Sequence, residues 1–261
     1  MIYGIPSLIE YRSAEEHLRI CAGNGFSFFE MNLSFPWFQS DKIDIPSLVR
    51  LGREYGVGYT IHLHDQLNPF DFSPEIREGA LRSVDYALTL AEKTGAKRIT
   101  LHLQYGMYSA VSGRKIYAYE VCSDEYLENV DRMAALCSRR LAGSDVFFCI
   151  ENTKGFTSYH RKAIELMLGY REFGLTFDVG HNFKTPVDDE SFILLHRDRI
   201  KHFHIHDVTE KSNHVALGRG ILDVRSYLKL AESIPDASVV MEVKESKALL
   251  ESMRFCRNNG F

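Results

Sequence analysis

Short apolar runs that end in an acidic residue or a histidine recur along this chain and constrain its fold more than any other feature. The stretch LTFDVGHN shows the pattern, because its apolar residues lead directly to Asp178 and His181. The same arrangement recurs in SFFEMN, YTIHLHD, ITLHLQ, FFCIENT, HFHIHD and VVMEVK. Runs of this length suit buried strands. We therefore predict one metal-binding pocket that is built from many strand ends.

Eight strand candidates alternate with eight predicted helices, and no linker or break in composition interrupts them. The strands are predicted near 2–5, 27–31, 58–63, 98–103, 146–150, the run ending at 178, 201–206 and 238–243. Strands that alternate with helices pair in parallel, and eight such units close into a barrel. The length of 261 residues also suits this fold. We predict a single (β/α)8 TIM-barrel domain over 1–261, with its site at the C-terminal ends of the strands.

Capping residues mark the ends of several predicted helices. Ser13 is a plausible N-cap of the first helix. Ser73-Pro74 combines a capping hydroxyl with a proline in the first turn, and Gly95 ends the helix that starts there. The segment 104–123 is rich in tyrosine and is predicted to be a long loop, either a lid or a subunit contact.

Composition argues against several classes of protein. The five cysteines are widely spaced and form no CxxC pair, so we expect neither a disulfide framework nor a thiolate zinc site, and we expect a cytoplasmic location. No apolar run approaches the roughly 18 residues that span a bilayer, so no membrane association is predicted. The net charge of -4 and the absence of a basic block disfavour nucleic acid as a partner. A homo-oligomer is compatible with the sequence.

Four side chains at the ends of neighbouring predicted strands suit one divalent cation: Glu151, Asp178, His204 and Glu242. Three carboxylates in a barrel mouth are costly unless a positive charge pairs with them. Three oxygen donors and one imidazole suit Mn²⁺, Zn²⁺, Co²⁺ or Mg²⁺ and do not suit a structural zinc site. We therefore predict one divalent ion, with Mn²⁺ or Zn²⁺ preferred.

Other residues near the predicted mouth are candidates for binding a substrate. Lys154, Arg219 and Lys244 either neutralise the carboxylates or bind an anionic group of the substrate, a role that we assign first to Arg219. Trp37 belongs to an aromatic loop that either covers the mouth or forms an apolar wall for the carbon skeleton of a substrate.

The segments ENTKG, FDVGH, HIHD with the later HVALGRG, and MEVKE resemble the xylose-isomerase-like TIM-barrel superfamily over essentially the whole chain. This superfamily includes sugar and sugar-phosphate isomerases and epimerases, and also the endonuclease IV family. The resemblance to the epimerases implies that the four residues named above bind one metal. It also implies that Glu151 and Glu242 act as general acid and base through an enediolate, and that His181 binds a substrate oxygen.

The resemblance to the endonuclease IV branch implies a larger set of zinc ligands: His64, His102, Glu151, Asp178, His181, His204, His214 and Glu242. A further aspartate ligand of that branch is replaced here by Ser212. For a sugar enzyme, His64 and His102 become candidates for substrate binding together with Lys154 and Trp37.

The function that the sequence favours is a metal-dependent isomerase or epimerase of a small sugar or sugar phosphate. The alternatives are a zinc phosphodiesterase acting on abasic DNA, a dehydratase of a cyclic hydroxy-ketone acid, and a non-catalytic sugar sensor.

Overall fold

The computed structural model describes all 261 residues. The strands are β1 (Ile2–Ile5), β2 (Phe28–Asn32), β3 (Gly58–His62), β4 (Arg98–His102), β5 (Tyr108–Val111), β6 (Arg114–Tyr117), β7 (Phe147–Glu151), β8 (Phe173–Asp178), β9 (Ile200–Ile205) and β10 (Ser238–Met241). Eight of them form a closed barrel in the order β1-β10-β9-β8-β7-β4-β3-β2, and the pairs within it are parallel. The predicted (β/α)8 barrel is therefore confirmed.

The helices are α1 (Ala14–Asn24), α2 (Ile45–Tyr55), α3 (Pro74–Thr94), α4 (Ala118–Val121), α5 (Ser123–Leu141), α6 (Ser158–Leu168), α7 (Val179–Lys184), α8 (Asp189–Leu195), α9 (Val224–Glu232) and α10 (Ser246–Asn258). Among them, α4 and α7 are short additions to the predicted set. None of the helices has the length and apolar character needed to cross a lipid bilayer.

The predicted helix ends at Ser13, Ser73-Pro74 and Gly95 are confirmed, but the predicted capping by the Ser73 hydroxyl is wrong. Ser13 forms a capping box at the start of α1, and Gly95 ends α3 in the left-handed conformation with φ 75°. Ser73 does precede α3, but its hydroxyl donates to Glu75 Oε2 at 2.9 Å and does not cap the helix backbone. Proline at the first helical position has no N–H to satisfy, so this helix start needs less capping.

The segment 104–123 is not the structureless loop that was predicted. It contains the antiparallel hairpin β5–β6 and the short α4. The hairpin turns at Ser112 and Gly113, which both have positive φ values of 49° and 78°. Two consecutive residues with positive φ suit a tight hairpin turn. The hairpin projects from the barrel, and all four residues of β5 are exposed.

The inside of the barrel carries an unusual number of polar side chains. Apolar residues fill the layer between strands and helices and form a single large core cluster. Buried polar residues on the barrel strands include Glu30, Thr60, His62, Thr100, Thr176, His202 and His204. Interiors of such barrels are usually filled by branched apolar residues. The polar interior therefore points to a site that continues below the mouth of the barrel.

Candidate metal centre

Four neighbouring strands bring the four predicted metal ligands together. Glu151 and Asp178 are the last residues of β7 and β8, and the register pairs Asp178 with His204 on β9. Glu242 directly follows β10, and its N–H donates to the carbonyl of Ile205 at 3.0 Å. As a result, one ligand atom from each of the four side chains lies within 4.8 Å of the others.

Four atoms in this cluster are buried and make no hydrogen bond: Asp178 Oδ2, Glu242 Oε2 and both ring nitrogens of His204. A buried polar group without a partner costs about 1–3 kcal/mol. His204 Nδ1 lies 3.2 Å from Glu151 Oε1 and 3.5 Å from Glu242 Oε2, and it bonds to neither. A divalent cation would supply the missing partner for Asp178 Oδ2, His204 Nδ1 and Glu242 Oε2. The residues present therefore fit a bound metal ion.

The electrostatics of the cluster also require positive charge. Burial by itself would raise the pKa of Glu151, but the neighbouring His204 and His102 hold this pKa well below its usual value. Burial would likewise lower the pKa of His204, whereas the carboxylates of Glu151 and Glu30 raise this pKa well above its usual value. Burial would raise the pKa of Glu242, and Lys244, whose Nζ lies 2.9 Å from Glu242 Oε1, lowers it. Glu151 and Glu242 are thus stabilised in their ionised forms.

A network of hydrogen bonds holds Asp178 in place. Asn152 Nδ2 donates to the Asp178 carbonyl at 2.8 Å, and the Asp178 N–H donates to Asn152 Oδ1 at 2.9 Å. Asp178 Oδ1 accepts from the N–H of His181 at 2.6 Å and from His206 Nε2 at 3.1 Å. A Cβ at Gly180 would lie 2.0 Å from the His206 ring, so only glycine leaves room for this imidazole.

The second oxygen of Glu151 meets two further histidines. His62 Nε2 and His102 Nε2 each lie 3.1 Å from Glu151 Oε2, and they are 3.2 Å from one another. Burial opposes the protonation of His62, but Glu151 raises its pKa to about 9. His62 was not among the predicted site residues.

His64, which was predicted in this place, is exposed, and its Nδ1 accepts from the N–H of Gln66 at 3.1 Å. The strand ends at His62, so the alternation of side chains that was extrapolated to residue 64 no longer applies there.

The other two predicted histidines are His181, which lies beside Asp178, and His214, which lies beside Glu242. His181 Nδ1 is 3.3 Å from Asp178 Oδ2 and makes no hydrogen bond. His214 Nδ1 donates to the carbonyl of Glu242 at 2.9 Å, and burial lowers the pKa of His214 to about 4. His206, between them, accepts from the His214 N–H through Nδ1 at 3.1 Å and donates to Asp178 through Nε2, so both its nitrogens are engaged.

A cavity of about 600 Å³ opens beside the cluster at the C-terminal end of the barrel. Its lining is mostly polar and includes His102, His181 and Lys154. The Lys154 ammonium is exposed and forms no ion pair in the structure. Arg219 is not part of the lining, since its side chain is 68% exposed and its Nε lies 3.3 Å from Glu251 Oε2 on α10.

Trp37 also lies outside the lining of this cavity. It packs against Phe35 and Phe38 at ring distances of 5.1 and 6.3 Å. It therefore packs within the aromatic segment and against the core, away from the lining of the cavity.

Comparison with known proteins agrees with this architecture. The family model described as a xylose isomerase-like TIM barrel matches residues 18–259. A D-tagatose 3-epimerase-like protein is similar with a TM-score of 0.78 at 18% identity, over 99% of this chain and 96% of that chain. The 3-keto-D-glucoside 4-epimerase of E. coli is similar with a TM-score of 0.75 at 18% identity, over 99% of each chain. The IOLI protein, whose structure contains a zinc atom, is similar with a TM-score of 0.70 at 12% identity, over 100% of this chain and 96% of that chain.

At these identities the solved structures establish a common fold. The family model spans nearly all of the chain, from within α1 to the end of α10. The protein therefore belongs to the xylose isomerase-like TIM barrel family.

Proposed function

We propose that the protein is a divalent-metal-dependent isomerase or epimerase that acts on a sugar or sugar phosphate. The observation that carries this proposal is the buried cluster of three carboxylates and one imidazole, whose ligand atoms lie within 4.8 Å of one another. The fold shared with a sugar epimerase and with a zinc-containing protein supports the same class of reaction and of cofactor. Mn²⁺ and Zn²⁺ are the ions that we favour, because both accept mixed oxygen and nitrogen ligands.

Glu151, Asp178, His204 and Glu242 would hold the ion, and Glu151 and Glu242 would also move the proton. One carboxylate removes a proton from the carbon next to the substrate carbonyl. The other first takes up a proton from solvent and then delivers it to that carbon or its neighbour. Glu242 has a buried Oε2 without a hydrogen bond, and Lys244 holds its other oxygen. When bound, the ion would supply Lewis-acid polarisation of the carbonyl.

The cavity beside the cluster suits a small polyhydroxylated substrate. Polar side chains in its lining, among them His102 and His181, can form hydrogen bonds with the hydroxyl groups of such a substrate. Lys154 would bind a phosphate or carboxylate of the substrate, because its ammonium faces the cavity without a partner. The backbone beside it is fixed, since Thr185 Oγ1 donates to the Lys154 carbonyl at 3.0 Å and the Tyr105 hydroxyl donates to the Gly155 carbonyl.

The proposal is tested by exchange of solvent deuterium into a panel of ketoses and ketose phosphates in the presence of Mn²⁺. Glu151→Gln and Glu242→Gln should each lower the exchange rate at least about 100-fold, since general acid–base groups typically contribute that much or more. Glu251→Gln is the matched control, because this carboxylate pairs with Arg219 outside the cavity and its loss should leave the exchange rate unchanged. Wild-type exchange in either of the first two variants would refute the mechanism.

A second candidate function is a multinuclear zinc phosphodiesterase acting on abasic DNA. It is favoured by one observation, namely that Glu151 Oε2 meets two imidazoles, His62 and His102, in addition to the four-residue cluster. Metal analysis of protein purified without chelator separates the two functions. About one ion per chain supports the sugar enzyme, whereas two or three ions together with cleavage of an abasic duplex support the phosphodiesterase.

A further inference from the structure

A buried polar cluster lies inside the barrel next to the proposed metal centre. Glu30 on β2 contacts His202 and His204 on β9, and β2 and β9 are not neighbours in the sheet, so these contacts cross the barrel. Glu30 is 2% exposed, His202 0% and His204 1%. An ionised carboxylate at this depth is costly unless donors surround it. The cost suggests a role that an apolar residue would not fill.

The positions of the protons in this cluster follow from the chemistry of a carboxylate, which only accepts hydrogen bonds. Glu30 Oε2 accepts from the Thr60 hydroxyl at 3.1 Å and from His202 Nε2 at 3.0 Å. Because His202 Nε2 donates to the carboxylate, Nδ1 of the neutral ring has a free lone pair. Nδ1 therefore accepts from the Ser238 hydroxyl at 2.6 Å. The chain of donors runs from Ser238 through His202 to Glu30.

The other oxygen of Glu30 lies next to the imidazole ring of His204. Glu30 Oε1 lies 3.0 Å from His204 Nε2, within ion-pair distance, although neither ring nitrogen of His204 makes a hydrogen bond in the structure. The negative charge beside Nε2 favours a proton on this nitrogen. Nδ1, which lies 3.2 Å from Glu151 Oε1, then has the lone pair that a metal ion needs.

We propose that Glu30 is a positioning residue of the metal centre, which keeps the proton of His204 on Nε2 so that Nδ1 binds a divalent ion. This inference rests on the proposed function only in requiring that an ion binds there. A carboxylate bonded to the far nitrogen of a ligand histidine orients the ring and makes it a stronger donor. The cluster of Glu30, His202, Thr60 and Ser238 holds that carboxylate in its ionised state and in one orientation.

The test is the affinity of the full-length protein for Mn²⁺ alone, measured by titration calorimetry. Glu30→Gln should weaken binding roughly 10–100-fold, the usual loss when such a partner is removed. The absorption spectrum of bound Co²⁺ should shift in the same variant, because the donor strength of His204 changes. Thr100→Val is the matched control, since Thr100 is equally buried in the barrel and bonds to Thr176 at 3.2 Å rather than to Glu30. It should lower the melting temperature and keep the Mn²⁺ affinity within about twofold.

Equal Mn²⁺ affinity in wild type and Glu30→Gln, or an equal loss in Thr100→Val, would overturn the inference. If Glu30→Gln does not fold, nitrogen NMR of the wild-type protein loaded with Zn²⁺ decides the question. His204 should show a protonated Nε2 and a metal-bound Nδ1, and the opposite tautomer would refute the proposed role.

These measurements use no sugar, so they are separate from the proposed reaction. A wild-type protein that binds Mn²⁺ but exchanges no sugar proton would refute the proposed function, and the affinity comparison would still decide the role of Glu30. A wild-type protein that binds no divalent ion would overturn both.

Discussion

Lys154 and Arg219 are both cations that follow barrel strands in the sequence, yet their surroundings differ. Arg219 pairs with Glu251 on α10 at the surface, whereas Lys154 faces the cavity beside the proposed metal ligands. The exposed ion pair of Arg219 with Glu251 contributes little to stability. It also gives no evidence that Arg219 binds a substrate. The free ammonium of Lys154 is the better candidate for binding an anionic substrate.

We expect Lys154→Met to raise the KM for a ketose phosphate roughly tenfold, about the effect of one charge-assisted hydrogen bond. The KM for the corresponding unphosphorylated ketose should not change, because it carries no anion. Arg219→Met serves as the matched control and should leave both KM values within about twofold. Steady-state kinetics of the two variants measure these KM values. A larger increase in Arg219→Met than in Lys154→Met would show that Arg219 binds the anion.

At the scale of elements, the passage from β8 to α7 without an intervening loop is what aims Asp178. Asp178 is both the last residue of β8 and the N-cap of α7, and its Oδ1 accepts from the first turn of that helix. His206 reaches the same oxygen because Gly180 leaves space for its ring. A strand end and a helix start therefore share one carboxylate.

Gly180→Ala should destabilise the protein by about 1–3 kcal/mol, the usual cost of overpacking. It should also weaken Mn²⁺ binding, because His206 must move away from Asp178. Gly23→Ala in α1 is the control, since a Cβ there meets nothing within 4 Å. It should be neutral or stabilising by about 0.5–1 kcal/mol. Urea unfolding and Mn²⁺ titration measure both effects, and wild-type values for Gly180→Ala would contradict the packing argument.

The start of α6 contains a buried histidine that makes stability depend on pH. Thr157 and His160 cap one another, and His160 Nε2 donates to the carbonyl of Gln104 at 3.2 Å. Burial lowers the pKa of His160 to about 4. In the unfolded chain a histidine binds a proton below about pH 6.5. Its contribution to stability is therefore complete above that pH and is lost as the pH falls toward 4.

When the pH falls from 7.5 to 5, we expect His160 to lower the free energy of unfolding by about 2 kcal/mol. This value follows from the difference between the pKa of His160 in the folded and in the unfolded chain. His160→Gln keeps a polar side chain but has no such titration, so its stability should decrease less over the same range. Urea unfolding of both proteins at several pH values, with chelator present throughout, gives the difference. Parallel pH profiles would show that His160 is not responsible.

On the scale of the whole molecule, closure of the barrel places the ends of β7, β8 and β9 and the residue after β10 around one point. An ion at this point would tie together four successive strands and would neutralise three carboxylates that otherwise repel one another. The ion would bind the folded protein and not the dispersed ligands of the unfolded chain. Binding of this kind stabilises the fold.

Removal of divalent ions with a chelator should therefore lower the melting temperature. At an ion concentration of 100 times Kd the stabilisation is about 2.7 kcal/mol. That corresponds to roughly 5–10 °C for a chain of this size. Asp178→Asn, which weakens the ligand set, should show little difference between chelator and Mn²⁺. A chelator shift of the same size in Asp178→Asn would mean that the ion binds elsewhere.

Much of the architecture is predictable from local pattern. Alternating strands and helices are a short-range property of the chain, and their number and order predict a closed parallel barrel. Within strands, the period of two places Asp178 and His204 on the inner face, and the same signal marks Glu30, His202 and His62. None of these three is among the site residues predicted from the sequence.

By itself the sequence determined the barrel and the strands that end in ligands, because both depend on neighbours along the chain. Only the tertiary structure decided that Glu30 meets His202, 172 positions away, that His62 rather than His64 meets Glu151, and that Arg219 lies outside the cavity. Each of these depends on where a strand stops and on what lies across the barrel. Local periodicity encodes neither the end of a strand nor the contacts across the barrel, since both arise only when the sheet closes.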